Sequence, residues 1–286
     1  MKFSFYSGFT RALKERGAAG SVAYARELGF CAVEALPTPY LSTEEQAREL
    51  KTALDNEGMI MSCFSAGVSL FGEGAQKNEE SLYRIIDLAH ILGAPYVHHT
   101  LGGGLTTRKF GTPTFEEVFD EVVERAGRVS DYAKQAGIRT LYEDQGYFFN
   151  GADRFDRFLT ALNRENTGVC ADFGNSFYFG ENPEHFIARN TSRIYNVHFK
   201  DYIRKGGNEP APGEGWHQSV DGDFLRGTVV GHGIVNFVTC LRMLAQSGYD
   251  GYYASEFEGP EPFEWATKCG LKNMEYYMQL ATHNLK

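Results

Sequence analysis

A chain of 286 residues is long enough to bury one large α/β core or two smaller ones. At 42% hydrophobic and 23% charged residues, without a low-complexity tract, the composition is that of a globular protein. The net charge of -9 and the lack of any Lys/Arg run argue against duplex nucleic acid or an anionic membrane as partner.

The N-terminal apolar stretch is broken by Arg11, Lys14, Glu15 and Arg16, which fits neither a secretion signal nor a membrane span. The five cysteines are scattered without a CxxC pair, and Cys31, Cys63 and Cys170 lie in strand-like runs. They read as buried reduced thiols, and a cytoplasmic setting is expected.

Short apolar runs then alternate with segments of helical period along the whole chain. KFSFYS reads as a first strand and AAGSVAYARELGF as its helix. CAVEAL is the second strand, followed by a helix that Ser42 caps, with Glu45 completing a capping box and Gly58 ending it. MIMSCFS and NEESLYRIIDLAHILG form the third pair. PYVHHT is the fourth strand, and a long amphipathic helix is expected from Thr114 to Gly137 behind Pro113. IRTLYE with ADRFDRFLTAL, and TGVCAD with a short helix near PEHFIARN, give the fifth and sixth. RIYNVHF is the seventh strand, after which a loop from Lys200 to His232 delays the helix IVNFVTCLRMLAQSG. GYYASEF and a helix from Phe263 to Leu280 complete the series.

Eight βα units without hairpin signals between adjacent strands imply an all-parallel sheet. At this length they match a closed (β/α)₈ barrel, with a doubly wound open sheet as the runner-up. SGFTRALKERG lacks the spacing of a dinucleotide fingerprint, and the glycines at 102–104 lack the Lys-Ser/Thr of a phosphate loop, so they read as a tight or mobile βα loop. No linker divides the chain, so a single domain over residues 1–286 is expected.

Glu143, Asp172, His198 and Glu256 end strands five to eight, in LYED, CADF, NVHF and SEFE. In a (β/α)₈ barrel those positions share half of the active-site rim. One carboxylate after a strand is commonly a cap or loop residue. Three beside an imidazole would repel one another unless a divalent cation joined them. A cation on a carbonyl oxygen and the adjacent hydroxyl would acidify the neighbouring C–H and stabilise the enediolate.

The pattern resembles the xylose isomerase-like TIM-barrel superfamily of sugar isomerases and epimerases. The motifs that carry the resemblance are Glu143 in LYED, Asp172 in ADFGN, His198-Phe199-Lys200-Asp201, Gly231-His232-Gly233 and Glu256 in SEFEG. The resemblance implies one divalent ion, Mn²⁺ ahead of Mg²⁺, Co²⁺ or Zn²⁺, held by Glu143, Asp172, His198 and Glu256. It also makes Glu143 and Glu256 the acid/base pair on opposite faces of the substrate. Arg204 matches an arginine that contacts substrate oxygens in related epimerases. Two positions depart from the ketose epimerase pattern: Asn175 replaces a substrate-binding histidine, and Phe148-Phe149 stand where a second glutamate is found. Asn175 can still hydrogen-bond a substrate oxygen but cannot carry a proton.

His98 and His99 end the fourth strand, and alternation sends them to opposite faces, so one of them faces the barrel mouth, with His99 the candidate to bind substrate. Lys200 stabilises an oxyanion or orients Glu256 or Asp172. Glu34 reads as a solvated loop carboxylate. Trp216 and His217, in the long loop, are candidates to cover the substrate. Tyr6, Phe64, Tyr147 and Phe173 are candidates for a stacking wall against it.

The expected activity is isomerisation or epimerisation of a carbohydrate, cyclitol or hydroxy-ketone by proton abstraction beside a carbonyl. The alternative is a lyase that uses the same enediolate to expel a β-substituent, as an inosose dehydratase does. A multi-zinc nuclease and a non-catalytic sugar binder rank behind these. The partner expected is a small polyhydroxylated substrate, with homo-oligomerisation left open.

Overall fold

The computed structural model describes residues 1–102, 104 and 111–283. Eight parallel strands among them close into a barrel: β1 (Phe3–Phe5), β2 (Ala32–Ala35), β3 (Ile60–Ala66), β4 (Tyr96–His99), β5 (Arg139–Glu143), β6 (Thr167–Asp172), β7 (Ile194–Phe199) and β11 (Tyr252–Ser255). The helices between them are α1 (Phe9–Leu28), α2 (Glu44–Asn56), α3 (Ala75–Leu92), α4 (Phe115–Gln135), α5 (Ala152–Leu162), α6 (Pro183–Asn190), α7 (Phe237–Gln246) and α8 (Phe263–Thr282). This is the (β/α)₈ barrel expected from the alternation.

Alternation along each strand separates two environments. Phe5 packs on Phe9, Tyr24 and Phe30. Tyr142 packs on Phe158 of α5, and Phe199 on Phe237 of α7. These rings fill the layer between strands and helices. The intervening residues point down the barrel axis, where Ser4 Oγ meets Ser62 Oγ at 2.7 Å.

Several boundaries move. α1 begins nine residues earlier than expected, at Phe9, and breaks at Gly17, whose φ of 67° is left-handed. The cap of α2 is Thr43 rather than Ser42. Thr43 is extended and accepts from the Gln46 N–H, while the Gln46 carboxamide takes the Thr43 N–H, so the box lies one residue later. α4 starts on its own capping box of Thr114 and Glu117. Cys63, Cys170 and Cys240 are buried free thiols, but Cys31, just before β2, is exposed. Of the glycine loop after β4, Gly103 lies outside the described residues.

The largest difference is the segment after β7. In place of an irregular lid it forms a three-stranded antiparallel sheet: β8 (Asp201–Lys205), β9 (His217–Gln218) and β10 (Phe224–Thr228), with β10 in the middle. β10 pairs with β8 from Phe224–Lys205 to Thr228–Asp201. Tyr202 and Leu225 are buried against Phe177 and Tyr178, in a small core apart from that of the barrel. The turn from β9 to β10 uses Asp221-Gly222, with Gly222 at φ 97°. Asp-Gly is a hairpin signal that was legible in the sequence and passed over.

Candidate functional site

The quartet assembles at one end of the barrel. One ligand atom each from Glu143, Asp172, His198 and Glu256 lies within 4.8 Å of the others, and all four residues are buried. His198 Nδ1 sits 2.9 Å from Glu143 Oε1, 3.0 Å from Glu256 Oε2 and 3.9 Å from Asp172 Oδ2. Register explains the gathering: Asp172 lies beside His198 in the β6–β7 ladder, and Glu143 beside Cys170 in the β5–β6 ladder.

Asp172 is aimed by its own backbone. The amides of Gly174 and Asn175 donate to its Oδ1 at 2.7 and 2.8 Å, leaving Oδ2 directed at the cluster without a hydrogen-bond partner. Asp144 braces this turn by accepting from the Asp172 amide at 3.2 Å and the Ser176 hydroxyl at 2.9 Å. Burial, then the charges of Asp172 and Glu143, push the Asp144 carboxyl well above its usual range.

Lys200 is buried, its ammonium 3.1 Å from Glu256 Oε1, 3.3 Å from Asp172 Oδ2 and 3.7 Å from Glu258 Oε1. Burial disfavours that charge, but Asp172, Glu256 and Glu258 outweigh it and keep the amine protonated. For Glu256 the cost of burial is overcome by Lys200 and then His198, which hold its carboxyl down. Asp172 goes the other way. Burial pushes it up, Lys200 only partly opposes this, and the Glu256 and Glu143 charges add to it. Burial also opposes protonation of His198, but Cys170, Glu34 and Glu256 reverse the balance and raise it well above the usual imidazole value.

This arrangement fits a divalent cation. Asp172 Oδ2 and Glu256 Oε2 are buried oxygens that face Lys200 and His198 without well-formed hydrogen bonds. One carboxyl of the crowded set is driven to take up a proton, a strain that a divalent charge relieves. Three carboxylates and one imidazole are hard, mostly oxygen donors, suited to Mg²⁺ or Mn²⁺.

Of the other expected residues, Asn175 is buried beside the cluster with its Nδ2 unpartnered and its Oδ1 3.5 Å from Lys200 Nζ. Arg204 and Trp216 belong to the appended sheet and its loop. Arg204 is half exposed, with Asp223 as its carboxylate neighbour at 3.7 Å, and Trp216 stacks under Arg226 at 5.3 Å. His99 points away from the site. Its ring meets Tyr142 at 5.0 Å and its Nδ1 meets the Thr100 carbonyl at 2.9 Å. Burial lowers it to about 4, so it is neutral. The inward histidine is His98, whose Nε2 is 3.5 Å from Glu143 Oε2. Among the aromatics, Tyr6 reaches the cluster, its ring 4.9 Å from that of His198. Phe64 is wholly buried in the barrel's core, Phe173 packs on Phe199 and Phe237, and Tyr147 lies against Phe148.

Glu34 is the residue the sequence reading misplaced. It is fully buried, and its Oε1 lies 2.9 Å from His198 Nε2. The Asp of the His-x-Lys-Asp block turns out to be a backbone clasp. Asp201 accepts from the amides of Gly231, Gly233, Val235 and Tyr202 at 2.8–3.2 Å. A side chain at Gly233 would sit 2.2 Å from Asp201 Oδ1, which accounts for that glycine of the Gly-x-Gly.

Among the described residues no helix is long and apolar enough to cross a membrane. The family model for the xylose isomerase-like TIM barrel matches residues 22–275. An inosose dehydratase from Geobacillus thermodenitrificans (strain NG80-2) is 24% identical over 243 residues, 78% of this chain and 81% of that protein. A xylose isomerase-like TIM barrel protein from Mycobacterium smegmatis, solved in complex with magnesium, superposes with a TM-score of 0.76 at 22% identity, covering 100% of this chain and 98% of that one. An L-ribulose 3-epimerase superposes with a TM-score of 0.76 at 15% identity, covering 100% and 97%. The chain belongs to the xylose isomerase-like TIM barrel family.

Proposed function

We propose that the protein is a divalent-metal-dependent lyase that removes water from a polyhydroxylated ketone of the inosose type, by proton abstraction beside the carbonyl. The observation that carries the reading is the buried Lys200 ammonium, 3.1 Å from Glu256 inside the four-ligand cluster. Glu143, Asp172, His198 and Glu256 hold the ion, with Mn²⁺ or Mg²⁺ suited to this donor set. When bound, the cation supplies the positive charge that lowers the barrier to ionising a C–H next to a carbonyl.

The protein's own groups do the rest. A carboxylate, Glu143 or Glu256, takes the proton from the carbon beside the carbonyl, and the electron pair moves into the enediolate. Collapse of that pair forms a C=C bond and breaks the C–O bond to the β-hydroxyl, which leaves as water with the proton that the carboxylate took from the carbon. The departing hydroxyl needs a hydrogen-bond donor beside the base, and Lys200, whose ammonium pairs with Glu256 and Asp172, is proposed to turn one N–H to it. Asn175, whose Nδ2 has no hydrogen-bond partner, is proposed to bind a substrate hydroxyl. Arg204 and Trp216 are proposed to contact the outer part of the substrate from the appended sheet. The inosose dehydratases among the relatives support this chemistry.

Epimerisation is the second reading. Glu143 and Glu256 both reach His198 Nδ1, at 2.9 and 3.0 Å, so two carboxylates flank one point, as proton removal and return on opposite faces requires. A mass-resolved assay over inososes, ketoses and keto-glycosides in deuterated water separates the two. Elimination gives a product lighter by one water. Unchanged mass apart from incorporated deuterium would overturn the lyase reading in favour of the epimerase.

A further inference from the structure

Inside the barrel, Glu34 on β2 is packed where a carboxylate is costly unless every lone pair is used. Each of its oxygens has a partner. Oε1 accepts from the Ser65 hydroxyl at 2.5 Å and faces His198 Nε2 at 2.9 Å, while Oε2 accepts from Asn196 Nδ2 at 2.9 Å. Ser65 lies on β3, and Asn196 lies two residues before His198 on β7. Three strands therefore cooperate to hold one carboxylate against the far nitrogen of the imidazole. That imidazole is clamped on its other sides. The Tyr6 ring lies 4.9 Å away, and the His98 ring meets it edge-on at 5.4 Å.

We propose that Glu34 is the positioning residue of the metal centre: by accepting from His198 Nε2–H it fixes the tautomer and ring orientation that turn the Nδ1 lone pair toward Glu143, Asp172 and Glu256. A carboxylate has only acceptor sites to offer, so the hydrogen in this contact belongs to Nε2. Nδ1 also faces carboxylates, 2.9–3.9 Å from the three ligands, and a cation seated among those oxygens would take the place of the Nδ1 hydrogen, so with Nε2–H committed to Glu34, Nδ1 is the nitrogen left to ligate. The carboxylate also makes the imidazole a stronger electron donor to the ion, and outer-shell partners of this kind change metal affinity by about 10–100-fold. Cys170 Sγ, 3.3 Å from Nε2, is a poor substitute because a cysteine sulfur is a weak acceptor.

This inference rests on reading the quartet as a metal site, and its test needs no substrate. Mn²⁺ binding is measured by calorimetry for wild type, E34Q and E34A. The histidine ¹⁵N spectrum of the Mg²⁺-loaded protein is recorded in parallel. Wild type should show His198 protonated at Nε2. E34A should lose about 10–100-fold in Mn²⁺ affinity and show mixed tautomers. E34Q should lose less, because its amide oxygen still accepts from Nε2–H. A folded E34A with wild-type affinity and tautomer overturns the proposal, and so does a bare Nε2 in the wild-type spectrum, which decides the matter even if E34A does not fold. Failure to detect water elimination would remove the lyase reading and leave these results standing. A wild type that binds no Mn²⁺ removes the site itself and this proposal with it.

Discussion

The Asp of the His-x-Lys-Asp block invites a catalytic assignment, and D201A tests whether it has one. Asp201 is buried and gathers four amides: Tyr202 and Val235 on Oδ1 at 2.9 and 3.2 Å, Gly231 and Gly233 on Oδ2 at 2.9 and 2.8 Å. Truncation strands these donors, at about 1–3 kcal/mol for each that water cannot reach. Two effects reduce the total. Burial pushes the Asp201 carboxyl up despite its four amides, so removing it recovers part of a desolvation cost. The vacated space also admits water to some of the donors. The net expectation is a loss of about 2–4 kcal/mol. It should appear as a lower urea midpoint by far-UV circular dichroism, with stoichiometric Mn²⁺ binding retained in the folded protein. A loss below about 1 kcal/mol, within reach of an ordinary surface substitution, would refute the clasp. So would loss of the metal without loss of stability.

The remaining predictions bear on the cluster and on the barrel's outer layer. D172A and H198A should each abolish bound metal in elemental analysis, and full retention in both would sink the site assignment. K200M leaves Asp172 and Glu256 without their buried cation and should destabilise the metal-free protein by about 3–5 kcal/mol. Mn²⁺ should then raise the melting temperature of the variant more than that of wild type, and equal shifts would count against the charge argument. Glu79 joins α3 to α4 by accepting from Arg125, Arg128 and Tyr83 at 2.6–2.9 Å. Chiefly through Arg128, its carboxyl is lowered to about 2, below the ordinary 4.5. The unfolded chain binds the proton more readily, so this stability is present above pH 4.5 and is lost as the pH falls toward 2. The full shift corresponds to about 3 kcal/mol, and with Arg128 half exposed about 1–2 kcal/mol is expected. E79Q should therefore be less stable than wild type near neutrality and equal to it near pH 2. A gap that persists in acid would contradict the linkage.

The barrel and the quartet were legible in the sequence because both rest on local periodicity and on position. Strands alternating with helices define the fold, and a carboxylate or imidazole at a strand's last residue falls on the rim whatever its neighbours are. The hairpin sheet after β7 carries one local signal, Asp221-Gly222, but its strands are short and its apolar positions few. Tyr202 and Leu225 gain their burial from Phe177 and Tyr178, more than twenty residues upstream, and that pairing has no local signature. For Glu34 and His98 the signal is the phase of strand alternation. In NVHF, Val197 and Phe199 face the helices while Asn196 and His198 face the axis. The same phase applied to CAVEAL puts Val33 outside and Glu34 inside, and applied to YVHH it puts Val97 and His99 outside and His98 inside. What the sequence does not contain is which buried carboxylate meets which imidazole, because barrel closure and tilt set that across strands far apart in the chain.

One alternation therefore explains both the aromatic content and the acidic interior. The residues that aim Glu143, Asp172 and His198 inward are flanked by Tyr142, Phe173 and Phe199, which aim outward into the helix layer. Such rings contribute up to about 3 kcal/mol each through burial alone, against the several kcal/mol that each buried ion costs. Within the interior, four carboxyl groups (Glu34, Glu143, Asp172, Glu256) crowd around Lys200 and His198, and burial with the neighbouring charges drives Asp172 to take up a proton. The apolar outer layer is what offsets the cost of burying these polar groups, and the proposed cation would relieve the crowding of the inner one. Replacing Phe199 would thus weaken the fold without touching the centre, whereas replacing Glu34 would retune the centre within a barrel that still closes.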